Sequence, residues 1–413
     1  MFSLLSLKSK AFKQLKNSTV SQIALLSCLT LPFTVNAQDG NNEKLQLHGF
    51  IAQGLVNVNG SDFVNDSGDI TTELTEIGIN ASYQFTPTLR FAGQAVYLDG
   101  GNRFSKGARI DYALLDWMFY NDSNWLANLY LGRYKNTHWL YSGTRDVPHT
   151  RPSIILPQSI YFDGFRDIAM GSDGASTKLS YSGENIGELD FTFSYGSSEL
   201  DKDDIQLLLG DMAQGTGDQK YVGQASIYWT PEFSSWRFGL SMVDSVFTYE
   251  ATPSDLFADA EFAFKQYSFA AMYEGEFWEF SSETTISDFG IEGFYVDGFE
   301  QTKVGQGIYL QTRYRLSDKV RLLARVEKFY ADRDDKDGKK LEAETGGLVP
   351  AYFGYQNSAV VGASVDFSDN LRVQMEYHRV QGTARLTPVV FPNVLLNDSE
   401  DWDMWALQLM YWF

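Results

Sequence analysis

The chain ends Met404-Trp405-Ala406-Leu407-Gln408-Leu409-Met410-Tyr411-Trp412-Phe413. Counting back from Phe413, every second residue is large and apolar: Tyr411, Leu409, Leu407, Trp405. Chain ends are ordinarily polar because they fray into water. A period-two stripe at this place therefore describes a strand with one face committed to an apolar medium. That medium is hydrocarbon outside a membrane barrel, or the dry interior of a soluble β-sandwich.

The other end of the chain favours the first. Residues 1–19 carry Lys8, Lys10, Lys13 and Lys16 and no acid, and an apolar stretch follows from Ile23 to Phe33. Val35-Asn36-Ala37 then places small residues at the cleavage-determining positions. This is the layout of a cleaved secretory signal over 1–37, leaving 38–413 as the exported domain. The apolar stretch falls short of the ~20 residues that cross a bilayer. A lipoprotein box at Leu25-Leu26-Ser27-Cys28 is the alternative, and it would clip the apolar region at its middle. Cys28 is the only cysteine, so the exported domain has no disulfide or thiol chemistry.

Without those four lysines, 29 basic residues face 53 acidic ones, a balance near −24. Nucleic acid, whose phosphates demand a basic face, is excluded as a partner. After the signal no apolar run is long enough for a membrane helix, yet aromatics reach 15% and mean hydropathy is −0.25. That combination fits strands that show one face to lipid and the other to water.

Seven short turns punctuate the chain: 86–88, 121–124, 184–187, 230–235, 274–276, 317–319 and 368–370. Their Pro, Gly, Asn, Asp and Ser content suits tight reversals. Large apolar residues flank nearly all of them, such as Phe85/Leu89, Trp229/Trp236 and Tyr273/Phe277, as an interfacial girdle requires. The segments between alternate strictly: Leu189, Phe191, Phe193 and Tyr195 are interleaved with Asp190, Thr192, Ser194 and Gly196. Seven turns give fourteen strands, and a first strand near 45–58 and a last near 402–413 bring the count to sixteen. The predicted fold is an all-β transmembrane antiparallel barrel; fourteen or eighteen strands stay open because 109–133 and 197–222 are ambiguous. A barrel of this size encloses a water channel.

The longest loop runs from about Lys135 to Gly174, between the fifth and sixth strands. Ile154-Ile155-Leu156, Ile160, Phe162 and Phe165 give it an apolar density that disordered segments lack. It is therefore expected to be ordered, against the inner wall or in the mouth. With its terminal Phe413, sixteen strands and long third loop, the chain resembles the trimeric porin superfamily of the Gram-negative outer membrane. The resemblance is architectural and spans the exported domain. It implies that Tyr411 and Phe413 belong to an assembly signal read by the barrel-assembly machinery. It implies a homotrimer in outer-membrane lipid and lipopolysaccharide, passively conducting ions and small hydrophilic solutes, with no cofactor. It also implies that the third loop forms the constriction, through Arg145, Asp146, Arg151, Asp163, Arg166 and Asp167. The competing role of those charges is to pair among themselves and fix the loop.

Strand phase independently turns Arg90, Arg313, Arg321, Arg325 and Arg372 inward, since arginine at mid-bilayer costs about 2–4 kcal/mol on the lipid face. These form a candidate basic pore wall, or else pair with Glu327 and Glu376. The alternative function is a substrate-specific channel for a sugar or other small nutrient, with Trp139, Tyr141, Tyr161, Phe162, Phe165, Tyr352, Phe353 and Tyr355 as lining rings. An enzyme is not expected: His48, His138, His149 and His378 show no metal or hydrolase spacing. One of two apolar loop runs, 205–209 or 389–396, is expected to latch a neighbouring subunit.

Overall fold

The computed structural model describes residues 44–66, 68–166, 171–253 and 255–413. The signal over 1–37, Cys28 and Asp167 lie outside the described residues. Sixteen antiparallel strands close into a barrel in simple meander order, each bonded to its chain neighbours and β1 to β16. The first eight are β1 Leu45–Asn59, β2 Thr75–Thr86, β3 Leu89–Asp99, β4 Gly107–Asn121, β5 Trp125–Lys135, β6 Gly171–Gly183, β7 Gly187–Ser197 and β8 Thr216–Thr230. The second eight are β9 Trp236–Glu250, β10 Ala260–Glu274, β11 Trp278–Gly293, β12 Glu300–Arg315, β13 Val320–Tyr330, β14 Tyr355–Ser368, β15 Leu371–Gln381 and β16 Asp401–Trp412. Two short helices, α1 Lys202–Leu209 and α2 Lys339–Glu344, sit in connecting loops. None of the described helices is long and apolar enough to cross a membrane. The barrel crosses with strands.

All seven short turns read from the sequence join strand pairs at one end, here the turn side. The chain terminus closes the ring: Ile51 pairs with Tyr411 and Leu55 with Leu407. Gly49 and Phe413 exchange backbone hydrogen bonds at 3.1 and 3.0 Å. Leu407, Leu409, Tyr411 and Phe413 point outward and are exposed, while Ala406, Gln408 and Met410 are buried inside. The outer face of β16 is thus the apolar stripe that the sequence displays. Exposed rings collect on the turn side, where Trp236 stacks on Phe238 and Trp278 on Phe280.

Two features depart from a uniformly polar inner file. First, β8 to β12 have 15 or 16 residues each, more than the ~9–11 that a tilted strand needs to cross. On the loop-side halves of β9 to β11 the polarity inverts: Val243, Phe247, Phe262 and Ile291 point inward and are buried. Outside, Lys220–Glu261 and Lys265–Asp244 ion pairs cover the same strands. Above the lipid these strands behave as the wall of a water-soluble protein, with apolar residues in and charges out. Second, the lumen beside β1 and β16 is filled. Val56, Val58, Met404 and Ala406 pack against Ile154 and Ile155 of the third loop.

The apolar runs 205–209 and 389–396 meet each other within the chain. Ile205, Leu208 and Leu209 pack with Val390 in one core cluster inside the mouth, and the Val389 and Val390 amides both donate to the Leu208 carbonyl at 3.1 Å. Two amphipathic segments find each other within one chain, which buries the 205–209 run; Phe391 of the other run stays exposed. Leu395 and Leu396 remain exposed.

Candidate functional site

The described part of the third loop, residues 136–166, folds into the barrel at mid-height. Residues 151–164 are buried throughout. A buried irregular backbone carries amides and carbonyls that need partners. Inward side chains of the wall supply them. Glu283 on β11 accepts from the Leu140 amide at 2.9 Å and from the Tyr161 hydroxyl. Glu327 on β13 accepts from the Ser159 amide at 3.0 Å, and Glu376 on β15 from the Ile154 and Ile155 amides. Carboxylates on alternate strands thereby form an acidic seat for backbone N–H groups. Arg325 answers with the opposite sign, donating to the Ile155 carbonyl at 3.1 Å and to the Ser153 hydroxyl at 3.0 Å. Arg372 reaches the His149 carbonyl at 2.8 Å, and the His149 ring stacks on Trp412, 4.4 Å between centroids.

The five described loop charges meet fixed partners. Arg145 pairs with Asp163 at 2.7 Å, and Asp163 also takes Arg103 at 2.8 Å. Arg166 pairs with Asp146, which also faces Lys135 at 3.3 Å. Arg151 pairs with Glu76 of β2 at 2.6 Å. All of these loop side chains are buried. Arg145–Asp163 and Arg166–Asp146 cross between the two arms of the loop, and Arg151 reaches the wall, so adjacency in the chain gives the wrong partners. Burial opposes the charge on Asp163, but Arg103 and Arg145 outweigh it and hold the carboxyl down to about 2.

The wall arginines face inward, as strand phase requires. Arg325 is buried and lies 3.4 Å from Glu327. The other four sit at the turn side on carboxylates of adjacent strands: Arg90 on Asp116 at 2.8 Å, Arg313 on Glu279, and Arg321 and Arg372 both on Asp366. The sequence reading missed Lys178, Asp190 and Arg237. Asp190 bridges Lys178 at 3.2 Å and Arg237 at 3.7 Å. Side-chain exposure is 44% for Arg90, 40% for Lys178 and 44% for Arg237. Period-two phase on β6, β7 and β9 turns all three missed residues inward, so the signal was present. Inside a closed barrel, exposure of that size requires water in the bore.

On the loop side of the third loop lies a chamber of about 500 Å3. Trp139 and Ile160 contribute to its floor, and the loop-side halves of β8–β12 form a wall. The last external loop folds in as a roof, fixed by bonds from Arg385 N–H to Gln356 and from the Tyr295 hydroxyl to the Val390 carbonyl. Of the rings read as possible lining, Trp139, Tyr141 and Tyr161 pack on one another and are buried, as part of the loop's own core. Asp335 accepts the Lys340 and Leu341 amides at the start of α2. Among the described residues no group of acids and histidines could hold a metal.

By sequence, neither a family model nor a curated protein matches the chain. By structure it is similar to outer-membrane porins. OmpF of Salmonella typhi, solved with daunomycin, superposes with a TM-score of 0.57 at 13% identity, covering 91% of this chain and 99% of that one. The anion-selective porin of Comamonas acidovorans gives 0.51 at 10%, covering 89% and 99%. The trimer form of OmpT, an outer membrane protein of Vibrio cholerae, gives 0.54 at 12%, covering 89% and 99%. The chain therefore has the closed sixteen-strand porin fold over nearly its whole described length.

Proposed function

We propose that this protein is a passive outer-membrane channel for ions and small hydrophilic solutes, exported by a cleaved signal over 1–37 and assembled as a homotrimer. The observation that carries the reading is the half-exposed charge inside the closed wall: Arg90, Lys178 and Arg237. Each is paired with a carboxylate yet keeps 40–44% of its side chain exposed inside the wall, and charge so exposed is solvated by water, so the turn-side half of the lumen is hydrated. The porin fold of the structural neighbours supports the same reading, and the trimer form of one of them supports the oligomer. The third loop is the constriction in this proposal. Its charges Arg145, Asp146, Arg151, Asp163 and Arg166 act chiefly by holding its shape, while Arg90, Arg313, Arg321 and Arg372 line the turn-side mouth. Reconstitution in a planar bilayer tests it. Discrete ohmic steps support a channel, and a silent barrel at all voltages contradicts it. Cross-linking in mild detergent that yields monomer alone contradicts the trimer.

A further inference from the structure

The loop-side chamber has a composition that a route for ions does not need. Phe247, Phe264, Phe289, Phe329, Val243 and Ile291 line it. Its volume of about 500 Å3 lies within the ~300–1,000 Å3 of small-molecule sites. Among the described lining residues, charge is carried by Lys303, Arg385 and Glu344, a balance of one positive.

Arg385 is the informative member. It is buried, and its guanidinium lies over the rings of Phe329 at 3.5 Å and Phe162 at 4.9 Å. Among the described residues no carboxylate lies within ion-pair distance of it, although nearly every other buried arginine of the barrel has one. One Nη donates to the Ser159 carbonyl at 3.3 Å, and Nε has no hydrogen-bond partner. The aromatic contacts stabilise the cation's faces but leave an edge N–H unanswered. A buried, unanswered donor costs free energy until a ligand supplies an acceptor.

We propose that the chamber is a binding site for an amphipathic monoanion, an apolar ring or chain bearing one carboxylate, with the head on Arg385 and Lys303 and the body among the phenylalanines. Guanidinium and carboxylate make charge-assisted, directional bonds, while the lining rewards an apolar body and gives nothing to a hydrated ion. The site selects solutes at the mouth. That role rests on the channel reading, whereas binding itself does not.

The test uses 2-naphthoate, titrated calorimetrically into detergent-solubilised protein, with acetate and 2-naphthalenemethanol as controls and ion current recorded separately. Saturable binding of naphthoate, at least about tenfold tighter than either control, is expected. Arg385→Gln is expected to weaken it about tenfold or more, and Lys178→Gln to leave it unchanged. Should Arg385→Gln fail to fold, Val389→Trp fills the chamber and is expected to abolish binding with the strand circular-dichroism signal retained. Absence of saturable naphthoate binding, equal binding of acetate, or binding indifferent to both chamber variants overturns the proposal. Binding without any current would uphold the site and overturn the channel reading; current without binding would do the reverse.

Discussion

The two halves of the lumen have opposite interiors. On the turn side, β3 to β9 turn Arg90, Lys178 and Arg237 into water and present rings and aliphatics to lipid. On the loop side, β9 to β11 turn Phe247, Phe262 and Ile291 inward, and ion-paired lysines and acids face outward there. Strand phase never changes along β9: Arg237, Ser241, Phe247 and Tyr249 all lie on the inner face. What changes is the medium outside. Where the outside is hydrocarbon, the polar residues gather within; where it is water, the apolar ones do. The third loop divides the halves, held by wall carboxylates that satisfy its amides.

The largest effect is expected at that divider. Arg151→Ala leaves Glu76 buried without its cation, a loss of about 3–5 kcal/mol for breaking such a pair. Thermal unfolding should shift strongly downward and open-channel current should become noisy. Wild-type unfolding in this variant would mean that the loop is not held there. On the loop side, Leu209→Ala opens a hole where α1 packs into the mouth and should cost about 2–5 kcal/mol. The conductance of the turn-side half should be unaltered. A changed conductance would show that the two halves are not separable.

Acid should loosen the divider by a smaller amount. Burial draws the loop imidazoles down, His138 to about 3 and His149, with Arg372 and Arg151 beside it, to about 4. The folded loop therefore prefers neutral rings. Their stabilising contribution is complete above the unfolded value of ~6.5 and declines as pH falls from there toward about 4. Hydrogen exchange over 137–150, corrected for intrinsic rates, should be faster at pH 5 than at pH 7.5; equal protection would refute the assignment. The smallest stability effect belongs to the open half. Arg237→Ala removes a half-exposed charge 3.7 Å from Asp190, worth less than about 1 kcal/mol. Its signature is a reversal potential displaced toward cations, which an unmoved potential would contradict.

The barrel was legible because turns and dyad rhythm are local: Thr86-Pro87-Thr88, Ser368-Asp369-Asn370 and the terminal stripe each declare themselves within a few residues. Strands β4 and β8 were harder to delimit because register shifts at Met118/Tyr120 and Gln219/Tyr221 interrupt the alternation. The inversion on β9–β11 was visible as charges beside inward apolar residues, such as Asp288 and Glu292 flanking Phe289 and Ile291, a reversal with no meaning until the lipid boundary is placed. The partners of the loop charges were not legible at all. Arg151 finds Glu76 across 75 residues and Ile154 finds Glu376 across 222, distances over which sequence pattern carries no pairing information.

Residue 178 offers the most direct test of the hydrated bore, because the chain's only cysteine is Cys28 and a thiol placed in the barrel stands alone. Lys178→Cys, reconstituted in a planar bilayer and exposed to a water-soluble cationic methanethiosulfonate, should couple rapidly and change the single-channel current stepwise. A thiol that never reacts from water, or one that reacts while the current stays the same, would contradict a conducting path along β3 to β9.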